Sequence, residues 1–191
     1  MGFAEVGRLN GFAHTLETGS EDVEAAWHGC YINDIDVTPS MAKTVIRHAA
    51  TADFDTLLNI DQASFVGDVA YNAAELAYFM NRDGAETLVL EEDKQIVAFI
   101  VLEVHETRRS GTIITLDVLL RHRRSGYGTQ LLQRAEAILS DYGVEGYNLQ
   151  VDVTNRAAIS FYKKHGLRIV RTLRHYYANG NDAYLMVKEL P

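Results

Sequence analysis

Residues 121–132, RHRRSGYGTQLL, set Arg121, His122, Arg123 and Arg124 directly before Ser125, Gly126, Tyr127, Gly128 and Thr129, and the apolar spacing of a helix follows. A strand ending at Leu119 or Leu120, a basic glycine turn and a helix opening at Gly126 would aim backbone N–H groups and the positive end of a helix dipole at one point. Such a point attracts phosphate. Gly126 and Gly128 would let the backbone come close to the anion, with Arg123 and Arg124 adding charge beside it. Two common phosphate motifs are excluded. The turn lacks the GxxxxGK pattern of a P-loop, and it is not the GxGxxG that follows the first strand of a dinucleotide fold. Arginine and glycine also populate ordinary surface loops, so the turn alone leaves both readings open.

These residues need a strand and a helix to hold them, and the surrounding pattern supplies a domain. Residues 43–49 alternate as a short strand. Residues 51–65 carry Phe54, Leu57, Leu58 and Ile60 at helical spacing behind Thr51 or Asp53 as cap, and residues 72–82 read as a second helix. TLVLEE (87–92) and QIVAFIVLEV (95–104), separated by Asp93 and Lys94, read as an antiparallel hairpin. Residues 112–120 form the strand before the basic turn. The helix after it runs from Gly126 to Leu139, with Leu131, Leu132, Ala135, Ile138 and Leu139 on one face. A strand at 147–153, a short helix at 155–166 stopped by Gly166, and strands at 167–173 and 183–190 complete the order β-α-α-β-β-β-α-β-α-β-β. Several neighbouring strands are joined by turns too short for parallel crossovers. The expected class is therefore α/β (α+β), a mixed central sheet of about six to seven strands flanked by helices.

The chain has 191 residues and a net charge of −8, and most of that charge lies in residues 1–40, where seven acids face only Arg8. Two units follow: an acidic extension at 1–40, read as a packing or homodimer arm, and a nearly neutral domain at 41–191. A general nucleic-acid binder would need an extended basic surface that this balance does not supply. Cys30 is the sole cysteine, which suits a reducing cytoplasm, and the histidines show no paired ligand spacing, so no metal is expected. No apolar run reaches the roughly 18 residues of a membrane span, so no membrane is expected either.

The segment Arg123-Arg124-Ser125-Gly126-Tyr127-Gly128 resembles the Q/R-x-x-G-x-G/A signature of the GNAT superfamily of N-acetyltransferases, with Leu120 where a proline is frequent. Downstream, Asn155, Ala158, Tyr162 and Gly166 match the family's N-x-x-A-x-x-x-Y-x-x-x-G-F segment, with Leu167 in place of Phe. The ending, with Tyr176 and Tyr177 before a turn and a D-A-x-x-M stretch, is similar to protein N-terminal acetyltransferases, including those that modify ribosomal-protein N-termini. The Pro-Trp pair of many ribosomal-protein enzymes is missing from residues 64–72, where the resemblance places the acceptor entrance.

The resemblance implies a GNAT fold and transfer of acetyl from acetyl-CoA, as co-substrate, to a primary amine in a ternary complex, the amine being a protein or peptide N-terminus. A small amine, or a silent acetyl-CoA-binding module, is the alternative. It further implies that Arg123, Arg124, Ser125, Gly126, Tyr127, Gly128 and Thr129 hold the pyrophosphate. Backbone N–H groups at Val118, Leu119 and Leu120 would hold the acetyl carbonyl and pantetheine, which Asn155 also touches. Tyr162 would protonate the departing sulfur, or else merely pack its helix. Five residues before Asn155, where these enzymes carry an ionisable residue, stands Gln150, which cannot take a proton. Asp152 on the same strand and Asp117 on its neighbour are the candidates for the base, each also readable as a solvated strand carboxylate. Gln150, Tyr176 and Tyr177 would line the acceptor groove.

Overall fold

The computed structural model describes residues 43–64, 70–105, 107 and 109–191. The acidic extension and most of the 64–72 segment lie outside the described residues. The strands are β1 (Thr44–His48), β2 (Ala85–Glu92), β3 (Gln95–His105), β4 (Ser110–Val118), β5 (Gly146–Asp152), β6 (Arg168–Leu173) and β7 (Ala183–Glu189). The helices are α1 (Phe54–Ser64), α2 (Ala73–Met80), α3 (Tyr127–Asp141) and α4 (Arg156–Lys164). Their succession agrees with the order expected from the sequence.

Local chemistry sets the helix starts. Asn72 and Glu75 form a capping box at α2, each side chain taking the other's backbone N–H. Asn155 caps α4 by accepting from Ala158 N at 3.1 Å. Before α1, Thr51–Asp53 winds as a short 3-10 turn, and the Asp53 carboxylate accepts from Ala50 N at 2.7 Å. The expected cap is thus spent one turn early, and the α-helix proper starts at Phe54.

The seven strands form one sheet in the order β1-β2-β3-β4-β5-β7-β6. Every pairing is antiparallel except β4 with β5. That parallel pair is registered only at Ser110↔Gly146, Gly111↔Tyr147 and Thr112↔Asn148. Beyond it, β4 stays on β3 up to Val118↔Ala98, and β5 stays on β7 up to Asp152↔Ala183. The two central strands therefore part, leaving facing backbone edges inside the sheet.

Each face of the sheet has its own core. On one, Leu131, Leu132, Ala135 and Leu139 of α3, all fully buried, pack with Ala158 and Tyr162 of α4 on Ile100, Leu102, Ile113, Leu116 and Leu149. At roughly 1.5–3 kcal/mol for each enclosed Leu, this anchors the helix behind the basic turn. On the other, Leu57, Ile60, Leu76 and Phe79 of α1 and α2 pack on Val89, Phe99, Val101, Ile114 and Tyr177.

Candidate active site

The basic turn and the parting of β4 from β5 meet at Val118. Strand β4 ends there rather than at Leu119 or Leu120, because Leu120–His122 winds as a 3-10 turn with His122 N on Leu119 O at 2.8 Å. Leu119 N donates to Val97 O on β3 at 3.0 Å, so that N–H is occupied. Antiparallel alternation then turns the N–H and C=O of Val118 away from β3, into the parting. The Val118 carbonyl accepts from Arg123 Nε at 3.0 Å.

Arg123 is thus tied to the strand end rather than standing free beside an anion. Its pKa is lowered, first by burial, against a raising effect from Asp117. Arg124, Ser125 and Gly126 are exposed, with Arg124 at φ +68° and Gly126 at φ +85°. A Cβ on Gly126 would meet no atom within 4 Å. Glycine is needed there for the left-handed backbone, and the space above it is open to a ligand. The first helical bond of α3 runs from Gln130 N to Gly126 O at 3.1 Å, so the Tyr127, Gly128 and Thr129 amides lie ahead of the helical ladder. This is a donor set suited to a polyphosphate. The Thr129 hydroxyl is engaged by His165 Nε2 at 3.1 Å, while His165 Nδ1 lies 2.8 Å from Phe161 O, which joins the start of α3 to the end of α4.

At the parting, Tyr162 packs its ring with the α3 core and is fully buried, and its hydroxyl has no hydrogen-bond partner. Its pKa is pushed well above the ordinary phenol value, by burial first and then by Asp117 and Tyr177. These two belong to the opposite face of the sheet, so the hydroxyl lies where the two faces communicate. Asp117 is 2% exposed, and its Oδ2 accepts from Thr115 Oγ1 at 2.7 Å. Gln150, also buried, donates to Asn148 Oδ1 at 3.1 Å, and its own Oε1 has no partner. Tyr176 and Tyr177 stack edge-on at 5.2 Å and join the α1–α2 core.

Asp152 sits apart from this group. One carboxylate oxygen accepts from Thr154 N and Thr154 Oγ1, both at 2.7 Å, and the other from Asn181 Nδ2 at 2.8 Å. It ties the β5–α4 turn, which carries the Asn155 cap, to the loop that carries Tyr176 and Tyr177. Tyr162 thus lies in the field of Asp117 and Tyr177, whereas Asp152 holds a bracing position.

Sequence reasoning missed two groups. Thr115 orients Asp117, and a Thr two positions before an Asp on a strand, hence on one face, is the signal it offered. The other is a polar row from Gln150 through Asn148 and Thr112 to His105, with Asn148 Nδ2 on Thr112 Oγ1 at 3.3 Å and His105 Nε2 on the same oxygen at 3.1 Å. It ends in an open cleft of about 770 Å³ lined by Arg82, Glu103 and His105. That cleft lies at the paired end of the β4–β5 seam, away from Val118 and Tyr162. Among the described residues there is no cluster that could hold a metal, and no helix is long and apolar enough to cross a membrane.

The glycine turn opens α3 beside a parted β4–β5 pair, and comparison with known proteins says which family has this arrangement. The model of the Acetyltransferase (GNAT) family matches residues 54–167, and the chain belongs to that family. It is an N-acetyltransferase whose co-substrate is acetyl-CoA. It is 33% identical over 160 residues to an N-alpha-acetyltransferase of Sulfurisphaera tokodaii, an alignment covering 76% of this chain and 92% of the relative. The crystal structure of Ard1 from Thermoplasma volcanium superposes with a TM-score of 0.71 at 26% identity, covering 78% of this chain and 98% of that one. The ribosomal-protein-S18-alanine N-acetyltransferase of Escherichia coli shares the fold, with a TM-score of 0.70 at 23% identity over 77% of this chain and 94% of that one.

Proposed function

We propose that the chain acetylates the α-amine of a protein or peptide N-terminus, with Tyr162 as general acid and Asp117 as general base. The observation that carries the assignment of roles is the buried, unpartnered Tyr162 hydroxyl in the field of Asp117. A phenol held above its ordinary pKa stays protonated at neutral pH and is ready to donate. Acetyl-CoA supplies the thioester, whose C–S bond breaks as the amine nitrogen forms its bond to the acetyl carbon. Asp117 takes the proton that the amine nitrogen sheds, and Tyr162 gives its proton to the departing sulfur. The Val118 N–H, turned into the parting, is the donor for the acetyl carbonyl. The Tyr127, Gly128 and Thr129 amides with Arg124 hold the pyrophosphate, and Asn155 borders the pantetheine arm. Tyr176, Tyr177 and Gln150 line the acceptor groove.

The relatives named N-alpha-acetyltransferase support an α-amine acceptor. So does Gln150 at the position where a base is expected, since an α-amine, with pKa about 8 against about 10.4 for lysine, asks less of a base. A panel of peptides with free N-termini, set against amino acids, polyamines and aminoglycosides and read by thiol release, tests the assignment. Turnover confined to the small amines overturns the peptide reading, and binding of acetyl-CoA without turnover on any amine overturns the enzymatic roles. In this reading residues 41–191 are the catalytic domain of a cytoplasmic enzyme and residues 1–40 an accessory arm.

A further inference from the structure

One carboxylate on a separate hairpin grips both ends of the basic turn. Glu92 closes β2, immediately before the Asp93–Lys94 turn, whose residues have φ of 50° and 68°. Glu92 Oε2 lies 2.6 Å from His122 Nδ1, and Glu92 Oε1 accepts from the Tyr127 hydroxyl. His122 and Tyr127 bracket residues 123–126, and their rings stack at 6.3 Å. Arg121 Nε donates to His122 Nε2 at 2.9 Å, so the imidazole proton belongs on Nδ1, facing Glu92. The Tyr127 phenol is pushed up to about 12, first by its bond to Glu92 and then by burial. The Glu92 and His122 side chains are about four-fifths buried.

A carboxylate beside an anion-binding turn opposes the anion by its charge, so its presence calls for a compensating role. Here both oxygens are spent on the two residues that flank the exposed stretch Arg124–Gly126, and the amides between them are held at a set spacing before any ligand arrives. Preorganisation of this kind lowers the ordering cost of binding. We propose that Glu92 is a positioning residue for acetyl-CoA, acting through His122 and Tyr127 on the turn. The proposal rests on the turn's being the pyrophosphate cradle.

The experiment compares acetyl-CoA with acetyl-pantetheine, which carries the same thioester arm without phosphates, using the full chain and one acceptor. Glu92→Ala is expected to raise the KM for acetyl-CoA about tenfold, with kcat held within about twofold and acetyl-pantetheine turnover held within about twofold. His122→Asn, whose amide can still donate to Glu92, should stay closer to wild type than His122→Ala. Gly126→Asp serves as the control for the cradle. If Gly126→Asp loses the preference for acetyl-CoA over acetyl-pantetheine and Glu92→Ala keeps it, the positioning role is overturned while the cradle stands. If Gly126→Asp keeps that preference, the cradle reading fails and the positioning role falls with it. An equal loss on both thioesters in Glu92→Ala marks a general structural defect and also overturns the proposal.

Discussion

The two sides of the β4–β5 parting are built on opposite plans. On the side of the basic turn, polar side chains are partnered within the protein: Arg123 with the Val118 carbonyl, Thr129 with His165, and Tyr127 and His122 with Glu92. Towards the α1–α2 face, the Tyr162 hydroxyl and Gln150 Oε1 are buried without partners. A buried polar atom left unpaired costs about 1–3 kcal/mol, so a hydrogen-bond partner brought to the second side would be favourable there. On the proposed roles, the contrast separates a frame from a reaction chamber. Changes to the frame should act on acetyl-CoA affinity, whereas changes to the chamber should act on turnover.

The sharpest break is Tyr162→Phe. It is expected to lower kcat about 1,000-fold with acetyl-CoA affinity little changed, and to leave the ligand-free protein at least as stable, by up to about 1 kcal/mol in a denaturant titration. A loss of stability would mean that the hydroxyl belongs to the frame. The same substitution bears on alkaline unfolding. A phenol whose folded pKa lies above its unfolded value of about 10 contributes stability that is full below pH 10 and is lost as pH rises towards the folded value. The wild type should therefore lose stability above pH 10 more steeply than Tyr162→Phe.

Next in size, Asp117→Asn should cut kcat about 100-fold and remove the acid limb of the rate–pH profile, as expected when a base is lost. An unchanged profile would assign the base elsewhere. On the frame side, Gly126→Asp should weaken acetyl-CoA binding by calorimetry about 30-fold, through like charge at the phosphate. Gly126→Asn, which tolerates the same left-handed backbone, should lose no more than about threefold. The smallest effect belongs to Asp152→Asn. An amide oxygen can still accept from Thr154 or Asn181, so steady-state kcat should stay within about threefold, whereas loss of a general base would cost about 100-fold.

The order of elements was legible in the sequence because it rests on local periodicity: Leu131, Leu132, Ala135 and Leu139 mark a helix wherever they are found. Donor groups of the turn were legible for the same reason, since Gly126 and a following helix are neighbours in the chain. What stayed hidden depends on distant partners. Arg123 reads as a free counter-charge until Val118 O and Asp117 are seen beside it, and Asp152 reads as a strand carboxylate until Asn181 folds back on it. Glu92 lies 35 positions from Tyr127, and no spacing rule joins a hairpin end to a helix start across that interval.

The parting of β4 from β5 has one more consequence. Sheet edges on the outside of a protein are open to any other strand, which is why folds take trouble to blunt them. Here two such edges are kept indoors, faced by helices above and below, so width becomes a filter. On the proposed function, an extended ligand arm would use the hydrogen bonds that these edges leave spare, whereas a folded molecule would meet the covering helices first. The sheet is unfinished only for something thin.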